Sequence, residues 1–501
     1  MKKKIVRKKE KIVARLIWTV VVGIVWLLAS VLLVLALWYL NTFSMGFEEL
    51  LYTILSPLGG TGQSTVSQIL DACLMPVITL MLVYVGFVVG LWHRGKCYKV
   101  LRRIGAVLCV VALLSSSCFA VYAFGIDDYL KKPTEETGDI YEQYYVHPLS
   151  VDITDVDGKP KNLIYIYLES METTYASAEV GGEQAEINYI PNLTALAEEY
   201  ISFSDSTGLG GFHSVAGTSW TMGALLSTTS GIPFSLAVYG EKAHNSVGKN
   251  GNFANRLTAL GDVLEILGYR QEFLCGSDIA FAGRDSYFTQ HGSYELFDYY
   301  TAIEEGYIDE DYKVWWGYED EILYEIAKDE VLELAAGDQP FNFTMLTVDT
   351  HHVGGYACNL CGETYDTNLE NVVSCADAQV AAFIKWCQEQ DFYEDTVIVV
   401  TGDHPRMDTQ LVKGVDFYDR TIYNCFINCE AKPVSVENRI FTSMDLFPTV
   451  LAAMGYSIGG ERLGLGTNIF SDVPTLAEQY GYDWLEEEIS KYSEYYEEHF
   501  S

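Results

Sequence analysis

Two apolar runs in this chain end in groups that a buried strand has no use for. The run NLIYIYLES (162–170) closes on Glu169, and TVIVVTGDH (396–404) closes on Asp403 and His404. Carboxyl ends of parallel strands are where α/β sheets assemble their sites. Two carboxylates and an imidazole form a hard-to-intermediate donor set suited to Mg2+, Mn2+ or Zn2+. A strand-end acid alone is commonly a turn residue or a helix cap, and a lone histidine is commonly structural; the combination is what points to an ion. A third segment, GGFHSVAGTSWTMGALLSTTSGIP (210–233), places small residues and hydroxyls around Thr218, just before an apolar helical run. Thr at a helix start serves most often as an N-cap. As a nucleophile it would need activation. Binding to a divalent cation favours an alkoxide, much as it lowers the pKa of water from about 15.7 to about 7, and free N–H groups at the helix start suit a phosphate oxygen. Thr221, one turn further on, is the competing nucleophile.

Such groups need a scaffold to bring them together. From Asn162 onward, short strand-like runs alternate with amphipathic stretches such as IPNLTALAEEY, LGDVLEILG, AQVAAFIKWCQEQ and SMDLFPTVLAAMG. That alternation predicts an α/β domain over 161–475, with a mainly parallel sheet flanked by helices. Residues 125–160, with Lys-Lys-Pro and Asp-Gly-Lys-Pro turns, read as a polar linker. The tail 476–501, rich in Tyr and Glu, reads as a surface helix or extension and is assigned no chemistry. The chain contains no internal repeat.

Uncharged apolar runs at 16–40, 72–92 and 104–124 each reach the roughly 20 residues needed to span a bilayer as helix, so residues 1–124 read as an all-α membrane region of three transmembrane helices. The first run exceeds the usual apolar region of a cleaved signal peptide. Eight Lys and Arg precede the first run, and Arg94, Lys96, Lys99, Arg102 and Arg103 lie between the second and third, whereas residues 41–71 hold none. The positive-inside rule then puts the N-terminus in the cytoplasm and everything after Phe124 outside a multi-pass cell membrane. Of the 32 basic and 68 acidic residues, 13 and 4 fall within 1–124, which leaves the outer part a formal charge near −45. Nucleic-acid binding is thereby excluded as a working function; the charge keeps the domain soluble beside an anionic surface and names no substrate.

Seven of the eleven cysteines lie outside the spans: Cys275, Cys358, Cys361, Cys375, Cys387, Cys425 and Cys429. An odd number cannot pair completely. Cys358, Cys361 and Cys375 bracket a polar loop where a disulfide could fix a hairpin. Zinc is the competing and less favoured reading of Cys-x-x-Cys, since no second such pair or nearby histidine follows at finger spacing.

The order NLIYIYLES, AGTSWT, TVDTHH, TGDH and SMDLFPTVL, behind membrane helices, resembles the membrane-anchored phosphoglycerol transferases of the alkaline phosphatase and sulfatase superfamily. The resemblance is nearest to the osmoregulated periplasmic glucan phosphoglycerol transferases, with lipoteichoic acid synthases more distant, and it covers roughly 160 to 470 together with the membrane region. It implies that Glu169, Thr218, Asp403 and His404 surround one divalent cation, manganese by analogy with lipoteichoic acid synthases (Mg2+ and Zn2+ being the alternatives), with Thr218 as nucleophile. It places Arg284, in GSDIAFAGRDSYF, on the phosphate, where a forked guanidinium suits the oxygens. His351 falls where the family has a histidine contacting phosphoglycerol, Asp278 near the glycerol hydroxyls, and His352 beside His351 as a supporting residue or an exchangeable partner. The indole that lipoteichoic acid synthases carry just before the arginine is missing, and Phe281 and Ala282 stand there instead.

The implied reaction moves glycerol phosphate from phosphatidylglycerol to a glycan, glycolipid or polyglycerolphosphate acceptor at the cell envelope, through a phosphothreonine-type intermediate. The membrane lipid and the acceptor are the implied partners; no protein partner is inferable. A sulfatase would need a Cys or Ser within Cys/Ser-x-Pro-x-Arg, and GTSWTMG has neither the Pro nor the Arg. A phosphoethanolamine transferase of the same superfamily and a catalytically silent binding or sensor module are the remaining alternatives.

Overall fold

The computed structural model describes residues 2–43, 46–57, 63–92, 98–131, 137–156, 158–159, 161–236 and 247–500. Arg94 and Lys96, expected on a cytoplasmic loop, lie outside these. The chain divides into two compact units, Met1–Phe47 with Gly62–Leu130, and Glu48–Thr61 with Lys131–Ser501.

The first unit is helical. Helices α1 (Lys2–Thr42), α3 (Gln63–Trp92) and α4 (Tyr98–Ala123) contain the three expected apolar runs. The stretches long and apolar enough to cross a membrane are Ile12–Thr42, Ile69–Trp92 and Lys99–Ala123. Each is largely exposed on its own, as a lipid-facing helix must be. Ala36, Ala120 and Ala123 form one buried cluster between them, in line with the close approach that small side chains allow between apolar helices, and Val22, Tyr84, Val88 and Cys109 form another.

Between the first two spans, the short helix α2 (Phe47–Leu55) is compact with the second unit, not with the helices that flank it in sequence. Tyr52 is the cause. It is 2% exposed and packs against Trp220, Phe234 and Phe253, with its hydroxyl donating to Ala282 O.

The second unit is built on a mainly parallel sheet. In chain order its strands are β1 (Ile153–Asp155), β2 (Asn162–Leu168), β3 (Arg270–Cys275), β4 (Glu295–Phe297), β5 (Phe341–Leu346), β6 (Thr396–Gly402) and β7 (Asn424–Ile427), with β8 (Tyr456–Ile458) further on. Strands β1 and β8 pair separately, while the main sheet runs β4-β3-β5-β2-β6-β7 with only β7 antiparallel. Because helices cover both faces, the central strands are apolar continuously instead of alternately. Leu163, Tyr165 and Tyr167 of β2 point into one core, and Ile164, Ile166 and Leu168 into the other. The acidic aromatic tail, expected as a surface helix or extension, is part of the first of these cores: it folds into three short helices whose Leu476, Leu485, Ile489 and Tyr496 are buried, together with Phe500 just after the last. Its aromatic content supplies apolar area, worth about 25 cal/mol per Å2 removed from water.

Candidate active site

Strand register does most of the assembly. Leu168 at the end of β2 pairs with Gly402 at the end of β6, so the next residues, Glu169 and Asp403, leave the sheet side by side. On the other side of β2, Tyr167 pairs with Leu346 of β5, which then turns into Thr347–His351. Beyond that, Cys275 of β3 pairs with Leu346 and leads to Ser277 and Arg284. Four neighbouring parallel strands therefore deliver their carboxyl ends to one place, and a single cavity is lined by Glu169, Thr221, Ser277, Arg284, Trp316 and His351.

Glu169, Asp403 and His404 each offer a donor atom within 4.8 Å of the others. His404 Nε2 lies 3.3 Å from Asp403 Oδ2 and 3.6 Å from Glu169 Oε1. Its Nδ1 is 2.8 Å from Pro405 O and donates there, which leaves the Nε2 lone pair facing the carboxylates, the tautomer a metal ligand needs. Asp403 Oδ1 accepts from Ser170 N at 2.7 Å and from His404 N at 2.8 Å, whereas Oδ2 is buried without a hydrogen-bond partner. Burial pushes the Asp403 carboxyl well above its ordinary range, reinforced by the charge on Glu169. Burial also acts to raise Glu169, but His351, His404, the Ser170 hydroxyl and Arg406 outweigh it and lower the pKa. The imidazoles of His404 and His351 are both pushed down by burial, with Glu169 opposing. Two oxygens and one nitrogen converge on a buried point with one oxygen unsatisfied. That is the donor chemistry of a divalent-cation site, and the residues present fit such an ion.

Of the two threonines considered as nucleophile, the structure brings Thr221 to the cluster. Thr218 does not face the cluster. Its Oγ1 donates to Val215 O at 2.8 Å, accepts from Val215 N at 2.9 Å and lies 2.9 Å from Ser214 Oγ. Residues 215–218 form a turn closed by Thr218 N donating to Val215 O, and Gly217, at φ +82°, is required there because a Cβ would sit 2.1 Å from Phe234 O. The helix Thr221–Ser230 starts only after Trp220. Thr221, its first residue, points Oγ1 at Glu169 Oε2 and at His404 Nε2, both at 3.3 Å. The three-residue offset arises because the glycine turn consumes Thr218 before the helix begins.

Arg284 is 6% exposed at the start of the helix Arg284–Gln290. Its Nη2 donates to Ser277 Oγ and to Asp278 O, both at 2.9 Å, and Nε donates to Phe281 O at 3.1 Å. The guanidinium is thus held from one side, and the residue lines the cavity. His351 donates from Nδ1 to His352 O at 2.7 Å, so its Nε2 is the free acceptor. His352 stacks on His351 with centroids 4.1 Å apart and does not line the cavity. Asp278 contributes its carbonyl to Arg284, while its carboxylate accepts from Ala280 N and is likewise outside the cavity lining.

Three features were not read from the sequence. Trp316 packs edge-on against His351 with ring centroids 4.9 Å apart and lies 5.2 Å from Phe281, so an indole lines the cavity from a position 32 residues after Arg284. Behind the cluster lies a buried ionic frame. Arg406 binds both oxygens of Asp408 and the Thr350 carbonyl, while Glu172 accepts from Arg406 N and pairs with Arg420. It ties the segment after His404 to the loop that carries His351. The third is the tail: Glu486 accepts from Ala216 N, and the Tyr482 hydroxyl donates to Ser214 O, which braces the threonine turn.

Comparisons with known proteins bear on this arrangement. Residues 161–456 match the sulfatase family. Phosphoglycerol transferase I of Escherichia coli (strain 55989 / EAEC) is 31% identical over 445 residues, which cover 85% of this chain and 53% of that protein. Phosphoglycerol transferase I of Xanthomonas axonopodis pv. citri is 29% identical over 326 residues, 64% of this chain and 44% of the other. The chain thus spans about half the length of the curated relatives it matches. Among solved structures, an alkaline phosphatase superfamily protein from Vibrio parahaemolyticus superposes with a TM-score of 0.51 at 20% identity, covering 66% of this chain and 74% of that one. At that identity the likeness establishes the fold.

Proposed function

The chain belongs to the sulfatase family, and from that premise we propose that it is a phosphoglycerol transferase working on phosphatidylglycerol at the outer face of a cell membrane. The observation that carries the reading is Thr221: one hydroxyl, at the first residue of a ten-residue helix, meets Glu169 and His404 at 3.3 Å and opens into a cavity shared with Arg284 and His351. Glu169, Asp403, His404 and Thr221 would hold the divalent cation, Mn2+ being the proposed ion. When bound, it supplies Lewis-acid activation of the hydroxyl and neutralises charge on the phosphoryl oxygens.

The chain's own residues account for the rest. Arg284 and the free N–H groups at the start of the Thr221–Ser230 helix bind the non-bridging oxygens. Thr221 Oγ1 forms a bond to phosphorus as the bond to the diacylglycerol oxygen breaks, leaving glycerophosphoryl-Thr221. The proton lost by the hydroxyl ends on the departing diacylglycerol, with His351 Nε2 as its carrier. In the second half, His351 takes the proton of an acceptor hydroxyl as its oxygen bonds to phosphorus, the Thr221 Oγ1–P bond breaks, and His351 returns that proton to Thr221 Oγ1. Glu169 is the only acid among the described residues lining the cavity. A neutral glycerol headgroup suits it better than a cationic ethanolamine, which would need a second carboxylate. The three apolar helices keep the enzyme where its lipid donor is concentrated, and the charge bias of their flanks argues for the outward orientation.

The test is headgroup transfer from vesicles carrying labelled phosphatidylglycerol or phosphatidylethanolamine, with Mn2+ and with glycan or polyglycerolphosphate acceptors. Mass spectrometry of the peptide spanning 212–234 should find glycerophosphate on Thr221. Equal labelling from phosphatidylethanolamine, or an adduct on Thr218, would overturn the donor or the nucleophile, respectively.

A further inference from the structure

The transfer chemistry leaves one reactive cluster unused. Cys358 Sγ lies 3.7 Å from Cys361 Sγ and 3.8 Å from Cys375 Sγ, and all three sulfurs fall within 4.8 Å of one another. A disulfide would hold two sulfurs at about 2.05 Å. Tetrahedral zinc, with Zn–S bonds of about 2.3 Å, separates its thiolates by about 3.8 Å. The observed spacing is that of sulfurs sharing an ion.

Local structure supports the same reading. Cys361 N donates to Cys358 O at 3.2 Å, closing the Cys-x-x-Cys segment into a turn that aims both side chains one way. Cys375 meets them from the helix Asn368–Gln388. One turn along that helix, Gln379 directs Nε2 to Cys375 Sγ at 3.3 Å and to Cys358 Sγ at 3.8 Å, and an amide donor of this kind stabilises thiolate ligands. Gln379 is 8% exposed, and its Oε1 is buried without a partner. A half-turn of the amide would present that oxygen to the cluster instead. Cys358 and Cys375 are buried and Cys361 is half-buried, so the site is closed on the protein side and reachable from outside.

The geometry points to a structural zinc site formed by Cys358, Cys361 and Cys375, with Gln379 or water as the fourth donor, chemically separate from the oxygen and nitrogen cluster around Glu169. Thiolates select Zn2+ over Mn2+ or Mg2+, so the two sites sort their ions by donor type. The consequence is mechanical: the ion would pin the loop that follows His351 to the helix Asn368–Gln388.

The full-length chain, purified in detergent with a non-thiol reductant and exchanged into Co2+, provides the probe. A thiolate-to-cobalt charge-transfer band in the near ultraviolet is expected at one equivalent per chain. It should fall at least about tenfold in Cys361→Ser and Cys375→Ala and persist in Asp403→Asn, whose lesion lies in the cluster without sulfur. Cys361→His, which keeps a ligand, should retain bound Co2+ with a shifted spectrum, separating loss of a donor from loss of the fold. The proposal is overturned by absence of the band in the reduced wild-type protein, or by an undiminished band in both cysteine variants. Peptide mapping that finds Cys358 bonded to Cys361 or Cys375 in protein isolated without reductant would also overturn it.

Discussion

The two donor clusters of this chain are assembled in opposite ways. Glu169 and Asp403 lie 234 positions apart and meet because β2 and β6 are parallel neighbours in one register; a shift of that register would separate them. Cys358, Cys361 and Cys375 come from a turn and the helix just after it, within 18 residues. The first cluster is a product of the whole sheet and the second of local chain geometry. Their burial follows: Asp403 and His404 are at most 1% exposed, whereas Cys361 sits at the rim. The comparison teaches that a site which must exclude water to do chemistry is placed where the core is deepest, while a staple needs only to tie neighbouring segments.

The comparison breaks most sharply at the hydroxyl. Thr221→Ala should lower transfer roughly 10³-fold or more and abolish the covalent adduct, because it removes the proposed nucleophile. Thr218→Ala should leave the adduct intact and reduce stability by about 1–3 kcal/mol through lost buried hydrogen bonds, read by denaturant titration; an adduct lost there and kept in Thr221→Ala would reverse the assignment. Next in size, Asp403→Asn should weaken Mn2+ binding by calorimetry and cost roughly 10²-fold in turnover, with the sulfur cluster untouched. Arg284→Lys keeps the charge but loses the fork held by Ser277 and Asp278, and an intermediate loss of about 10 to 100-fold in kcat/KM is expected from steady-state assays.

A buried acid outside both donor clusters separates the effect of burial from that of ligation. Glu272 on β3 is 3% exposed, and burial together with the charge of Glu330 pushes its pKa up to about 9. Unfolded, it titrates near 4.5, so folding takes up a proton between those values and stability falls as pH rises through that window. Glu272→Gln should therefore stay within about 1 kcal/mol of the wild type near pH 5 and be more stable than it by several kcal/mol near pH 9, read by thermal melting at the two pH values. The smallest effect belongs to the staple: Cys361→Ser should change transfer by less than about threefold while speeding proteolysis between 353 and 367.

What the sequence determined by itself were the features set by strong local patterns. Three apolar runs of spanning length, the alternation of strand and helix, and the polar residues closing NLIYIYLES and TVIVVTGDH are properties of short stretches, and the helices and sheet contain them. Glu169, Asp403 and His404 were legible because parallel strands in an α/β sheet end on one side, whatever their order. Tertiary structure decided where side chains point. A glycine turn at Gly217 delays the helix and aims Thr221, not Thr218, at the cluster, a difference no composition or motif expresses. Trp316 reaches the cavity from a loop, Asp278 turns its carboxylate away, and Tyr52 and Phe500, far from the site in sequence, belong to the core beneath it. Periodicity is set by each residue's immediate neighbours, whereas the direction of a side chain at a turn is set by φ and by partners hundreds of residues away.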